Sequence, residues 1–354
     1  MAPEYTPGLR LAREFYGAVV RPLMEEHFPR MPYAAALIGP GSEVVGFDTQ
    51  RSVDHDWGPR LQVFLTGRDT EQAGAVTAML ASRMPELFRG YPVAFPVTGE
   101  PGTARHRVEV AGLGAWLTGR LGFDPQHGIT LLDWLATPAQ RLAEYTAGDV
   151  FHDGPGGLTR VRARLAWYPR DVWLYLLACQ WQRIGQEEAF PGRCVEAGDN
   201  LGSVIVAARL ARDLMRLCLL MHRRYPPYSK WLGTAFARIP GLADLGGSLG
   251  AAISAGDWPT REQHLCRAYE KAASLHNELG FTPPLDTRVR GFYERPYQVI
   301  DAARFTAALR EAISDPLLRR LPAIGAIDQF TDSTDALGRP GFLRACVGAA
   351  IGES

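Results

Sequence analysis

Lysine is nearly missing from this chain: Lys230 and Lys271 stand beside a large arginine complement. Across 354 residues the basic and acidic side chains balance to a formal net charge of zero. A protein whose main partner is a long nucleic acid carries a basic excess, so that partner, and a nucleic-acid-directed transferase with it, is disfavoured. A nucleotide stays admissible, because a local pocket of Arg and Lys is enough to hold phosphates. Cysteine is sparse as well, and Cys179, Cys194, Cys218, Cys266 and Cys346 show no CxxC spacing. An odd, dispersed set suits a reducing cytoplasm and carries no zinc signature. The eight histidines form no HExxH pair, the glycine-rich stretch 241–250 lacks the Gly-Lys-Ser/Thr ending of a P-loop, and no serine nucleophile elbow is present. Long uncharged apolar runs are missing too. The greasiest stretch, Leu201 to Met221, contains Arg209, Arg212, Asp213 and Arg216, which excludes a membrane span. The opening Met-Ala-Pro-Glu-Tyr has no basic region before an apolar one, so no signal peptide is read there and the cytoplasm is expected.

At this length two domains are expected rather than one core. Residues 9–28 carry apolar side chains at helical intervals ahead of Pro29. A short apolar run, Ala34 to Ile38, stops at Gly39-Pro40-Gly41-Ser42 and reads as strand then turn. Val53–Trp57 and Leu61–Leu65 read as strands separated by Gly58-Pro59. Thr70 to Met84 reads as an amphipathic helix with Thr70 as its N-cap, and Val93–Val97 and His106–Val110 as further strands. From Leu131 onward helical periodicity takes over, over 170–188, 199–224, 261–279 and 302–313. The fold class expected is therefore α+β: a small mixed-sheet domain over residues 1–130, then a mostly helical domain over 131–354. Residues 328–354 are turn-rich and suggest no element.

The densest chemistry lies in residues 41–57, where Gly41-Ser42 precedes Asp54-His55-Asp56. On a strand, residues two apart share a face, so two carboxylates converge on one cation. Mg²⁺ takes hard oxygen ligands, commonly one or two carboxylates together with substrate phosphates. A solvated acidic turn is the plain alternative.

A hydrophobic-Gly-Ser turn followed by Asp-x-Asp resembles the signature of the DNA polymerase β-type nucleotidyltransferase superfamily. The plan of a small α/β domain followed by helices is similar to the antibiotic and minimal nucleotidyltransferases. The runs Asp54-His55-Asp56-Trp57-Gly58-Pro59-Arg60 and Tyr228-Ser229-Lys230-Trp231 resemble an uncharacterised bacterial group of such proteins. The residue between the aspartates is usually apolar in that superfamily, and here it is His55.

The resemblance implies transfer of a nucleoside monophosphate, AMP from ATP first, to a hydroxyl of an unknown acceptor with release of pyrophosphate. Asp54 and Asp56 would hold Mg²⁺. Glu109, flanked by Val108 and Val110, is the candidate third carboxylate, as metal ligand or as general base. Gly41 and Ser42 would meet a phosphate through a turn, as helix starts do. Arg60 near the metal strand, Lys230 in its aromatic segment, and Arg193 would supply counter-charge. Each has a plain alternative: a capping serine, a strand glutamate paired with an arginine, an aromatic helix start, a surface ion-pair group. Glu187-Glu188 reads as a solvated helix end. The alternative function on the same fold is a nucleotide-binding sensor, or an antitoxin-like interaction protein, without turnover.

Overall fold

The computed structural model describes residues 4–53, 57–97 and 100–352. Asp54, His55 and Asp56 lie outside the described residues. The chain is α+β, with a mixed five-stranded sheet in its N-terminal part and mostly helix after it. Two units divide it, one from residues 1–133 and 141–166, the other from 134–140 and 167–354.

In the first unit, strands β1 (Tyr33–Leu37), β2 (Arg60–Leu65), β3 (Ala94–Val97), β4 (Glu100–Gly112) and β5 (Asp149–Asp153) form one sheet in the order β3-β4-β2-β1-β5. β2 and β4 are parallel, while β1 runs antiparallel to both its neighbours, β2 and β5. The run expected to be helical from 131 onward thus sends a strand, β5, back to the edge of the sheet. Its short Asp-Val-Phe-His-Asp run carries too little alternation to stand out in the sequence.

Alternation along β2 divides the sheet faces. Leu61, Val63 and Leu65 enter a buried cluster with Phe15, Tyr16, Val20, Met24, Val76, Leu80 and Val108. Each such side chain contributes about 1.5–3 kcal/mol by leaving water. The covering helices are α1 (Gly8–Phe15), α2 (Arg21–His27) and α3 (Ala73–Arg83), with a π-helical turn, Tyr16–Val20, joining the first two. α3 begins later than its sequence suggests. A 3₁₀ turn, Gly67–Gln72, precedes it, and the Thr70 hydroxyl donates to the Gly67 carbonyl at 2.8 Å instead of capping the helix. Gln62 and Phe64 of β2 face away from that cluster. There α4 (Leu113–Leu121) sets Trp116 edge-on to Phe64, 5.0 Å between ring centres, and to Tyr145 at 5.5 Å. The chain continues through α5 (Leu131–Ala136), α6 (Ala139–Thr146), which carries Tyr145, and α7 (Gly157–Leu165).

The second unit is built on α8 (Arg170–Glu187), α9 (Phe190–Glu196), α10 (Asn200–Met221), α11 (Ser229–Ala237), α12 (Ala243–Ser254), α13 (Trp258–Glu278) and α14 (Ala303–Ala312). Trp181 of α8 stacks on Phe305 of α14 at 4.4 Å and donates its indole N–H to His276 Nδ1 on α13 at 3.3 Å. Burial pushes the His276 imidazole down to about 4, so it stays neutral and can accept that bond. The charges within α10 are paired: Arg183 reaches the buried Asp213 with two N–H groups, and the exposed Arg209 pairs with Glu187. No helix among the described residues is long and apolar enough to cross a membrane. α15 (Pro316–Arg320) follows, and the stretch from 328, which suggested no element, holds most of α16 (Ile327–Phe330) together with α17 (Thr334–Leu337) and α18 (Pro340–Ile351). The five cysteines are all free.

Candidate functional site

The turn after β1 is a glycine structure. Gly39 has φ +89° and Gly41 φ +153°, conformations that cost a side chain dearly. A Cβ at Gly41 would collide with the Arg60 guanidinium, and lie 2.7 Å from Glu43 Oε2. Downstream, Phe47 N–H donates to Ser42 O at 2.7 Å and Val44 N–H to Gly41 O at 3.2 Å, so Ser42 opens a single coiled turn. Ser42 itself is half-buried. Glu43 points elsewhere, as a phosphate role for Ser42 requires. Its carboxylate is 4 % exposed and takes Arg60 Nε at 2.7 Å and Nη2 at 2.5 Å. Arg60 Nη2 also donates to the Pro40 carbonyl at 2.7 Å. Arg60, expected as a phosphate contact, is thus already engaged: it ties the start of β2 to the Gly39–Gly41 turn.

The segment leaving Asp54–Asp56 is anchored as well. Trp57 is buried, stacked with Tyr5 at 6.1 Å and edge-on to Tyr91 at 5.1 Å. Gly58, at φ +152°, lies against the Phe95 ring, which an added Cβ would meet at 2.9 Å. Asp48 is a structural residue, accepting from the Tyr5 hydroxyl at 2.9 Å and from Gly8 N–H at 2.8 Å.

Glu109 is the register partner of Gln62 across the parallel β2–β4 pair. Its neighbours Val108 and Val110 pack on the apolar cluster, as expected, so the carboxylate stands on the opposite sheet face with Gln62. The Gln62 side chain is buried and accepts from Ile38 N–H at 3.1 Å, linking this face to the glycine turn. Glu109 is 43 % exposed, and its Oε1 accepts from Arg120 Nη2 at 2.7 Å. Arg120 lies over the Trp116 ring at 4.2 Å. The Trp116 indole N–H is buried without a partner among the described residues, a polar group such sites rarely leave idle.

Among the described residues no three His, Cys, Asp or Glu side chains gather into a metal-holding cluster, and Asp54 and Asp56 stand outside that set. The chemistry of the donor set fits Mg²⁺. Asp54, Asp56 and Glu109 are hard carboxylates, and Glu109 Oε2 has no protein partner among the described residues.

In the second unit, Lys230 is exposed in the first turn of α11, 5.5 Å from the Trp231 ring, beside Ser229 at the rim of a cavity. Arg193 lies in α9, 5.6 Å from the Phe190 ring, and lines a different depression with Phe292, Tyr293, Glu294, Arg295 and Tyr297. Of the acidic residues near it in sequence, Glu196 pairs with Arg295 of the same depression at 3.0 Å, and Asp199 caps α10 through Gly202 N–H at 2.7 Å. Lys230 and Arg193 therefore do not share one pocket.

Glu188 overturns the reading of a solvated helix end. It is buried, and its two oxygens accept from the backbone N–H groups of Ile300, Asp301 and Ala302 at 2.9–3.1 Å. Burial pushes its carboxyl up to about 7, against the pull of those three donors. Arg120, Gln62 and Trp116 were not singled out from sequence. Their only signal is an i, i+4 pair on one short helix and a polar residue inside an apolar strand.

Residues 134–232 match a family described as a domain of unknown function (DUF4037). The match runs from within α5 to the first part of α11 and leaves out the glycine turn, residues 54–56 and Glu109. No curated protein matches the chain.

Proposed function

We propose that this chain is a Mg²⁺-dependent nucleotidyltransferase that moves a nucleoside monophosphate, AMP from ATP, to a hydroxyl of an acceptor and releases pyrophosphate. The observation that carries the reading is the parallel β2–β4 register. It sets Glu109 beside Gln62 on the sheet face turned away from the apolar core, and Gln62 in turn holds the end of β1. β2 itself begins directly downstream of the two aspartates. A carboxylate on the strand paired with β2 suits a third member of the Asp54/Asp56 set.

Asp54, Asp56 and Glu109 would hold the cation, which when bound neutralises phosphate charge and aligns attacking and leaving oxygens. Gly41 and Ser42 would face the phosphates. Arg60 serves them by fixing that turn through Glu43 and Pro40, while Lys230 and Arg193, which lie in different depressions of the second unit, are given no shared phosphate. Glu109 would receive the acceptor's proton, a role that needs hydrogen-bond reach to that hydroxyl. The Arg120 ion pair favours a second reading, a nucleotide sensor without turnover, because the guanidinium already occupies Glu109 Oε1.

Pyrophosphate release separates the two. With ATP and Mg²⁺, a screen of hydroxylated metabolites, peptides and RNA ends is expected to yield acceptor-dependent pyrophosphate that Glu109→Gln diminishes. Nucleotide binding without release across the screen would leave the sensor.

A further inference from the structure

The second unit contains a cavity of about 250 Å³ whose wall includes Arg212, Arg216, Asp328, Tyr228, Ser229 and Thr334, roughly the space of eight waters. At its base lies a buried ion pair: Arg216 of α10 and Asp328 of α16, 8 % and 9 % exposed, joined at 2.9 Å. The pair is incompletely used. Asp328 Oδ2 accepts both Arg216 Nη2 and Ala139 N–H, at 2.9 and 3.2 Å. Among the described residues Arg216 Nε and Nη1 and Asp328 Oδ1 have no hydrogen-bond partner. Both residues line the cavity, which brings these groups within reach of an occupant. Arg212, one turn before Arg216, pairs loosely with the exposed Asp332 at 3.4 Å on the same wall. Pro138, Pro226, Pro227, Leu232 and Leu337 supply the apolar remainder.

The balance of charge selects the occupant. A simple anion would satisfy Arg216 but bring a second negative charge against Asp328 and Asp332. A simple cation would meet the reverse penalty from Arg212 and Arg216. A neutral apolar molecule would cover unpaired donors of a buried guanidinium, which is costly. A small zwitterion engages both signs at once. We propose that this cavity binds a free amino acid or short zwitterionic peptide, its carboxylate on the open N–H groups of Arg216 and its ammonium on Asp328 Oδ1. Nucleotidyl transfer by the first unit is not required for this binding.

The test uses the full chain in calorimetric titrations with the protein amino acids and glycyl dipeptides. Their deaminated carboxylic acids, their decarboxylated amines and inorganic phosphate form the control arms. At least one zwitterion is expected to bind one-to-one, with its acid and amine analogues weaker by about tenfold or more, about 1.4 kcal/mol. Asp328→Asn should lose the ammonium preference, but it touches a buried pair and threatens folding. Thr334→Trp, an exposed position on the rim, fills the mouth without touching the pair and should abolish binding with the circular dichroism unchanged. Asp54→Asn should leave zwitterion binding intact, which keeps this site distinct from the nucleotide reading. Absence of any zwitterion binding at millimolar concentration, equal binding of acids or phosphate, or binding unaffected by Thr334→Trp in a folded protein would each overturn the proposal.

Discussion

The Glu43–Arg60 pair is the joint on which the glycine turn depends, and its removal has a calculable cost. The two side chains are 4 % and 13 % exposed, so neither charge falls back into water when its partner goes. Removing one member of a buried pair costs about 3–5 kcal/mol, mainly because the survivor stays charged and unpaired. Glu43→Gln keeps the volume and one acceptor, and Arg60 still holds the Pro40 carbonyl, so about 3 kcal/mol is expected. Arg60→Met strands a deeply buried carboxylate and belongs at the upper end, about 4–5 kcal/mol. The double variant leaves no charge to strand, so its cost should fall short of the sum by about 1–3 kcal/mol. With two units, one unfolding transition cannot be assumed to report on this site. Native-state amide exchange is the assay, read at Val44 and Phe47, whose N–H groups close the turn on Gly41 and Ser42. Opening free energies that add to within about 0.5 kcal/mol would refute the coupling and the view that Arg60 is a clamp.

Glu188 gives a pH prediction. Its folded pKa is raised from 4.5 to about 7, so between those values the folded chain keeps a proton that the unfolded chain has released. Its contribution is complete below about pH 4.5 and is lost as pH rises through about 7, on the order of 3 kcal/mol. The opening free energy from amide exchange at Ile300 and Ala302, wild type minus Glu188→Gln, should fall across that window, and a flat difference would refute it. Gly41→Ala should cost about 1–3 kcal/mol of local stability, from its φ of +153° and the collision with Arg60. Unchanged exchange at Phe47 would contradict this. Glu109→Gln should change folding stability by less than about 1 kcal/mol, because its ion pair is exposed. Under the proposed reaction it should lower turnover about 10²–10⁴-fold. A large loss of stability with unaltered turnover would assign Glu109 to structure.

Much of the fold was legible because its signals are local. Alternation in Leu61–Leu65, flanking valines around Glu109 and the helical spacing of 201–219 depend on neighbours in the chain, and the strands and helices stand where those patterns lie. Two kinds of feature were not legible. β5 is made a strand by pairing with β1 more than a hundred residues earlier, and nothing in Asp149–Asp153 announces that partner. The state of charged side chains depends on what the fold brings to them. Arg60 looked like a free cation until Glu43 and Pro40 met it, and Glu188 looked solvated until the 300–302 backbone closed over it. The glycine turn was readable as a turn, but the device that holds it, a buried carboxylate one residue after Ser42, is a tertiary fact.

Calorimetric titration with ATP, with and without Mg²⁺, on wild type and on Asp54→Asn tests the central claim most directly. The proposed function predicts Mg²⁺-dependent binding in the wild type and its loss in the variant with the fold intact. Binding that is indifferent to Mg²⁺ and to the substitution would contradict it.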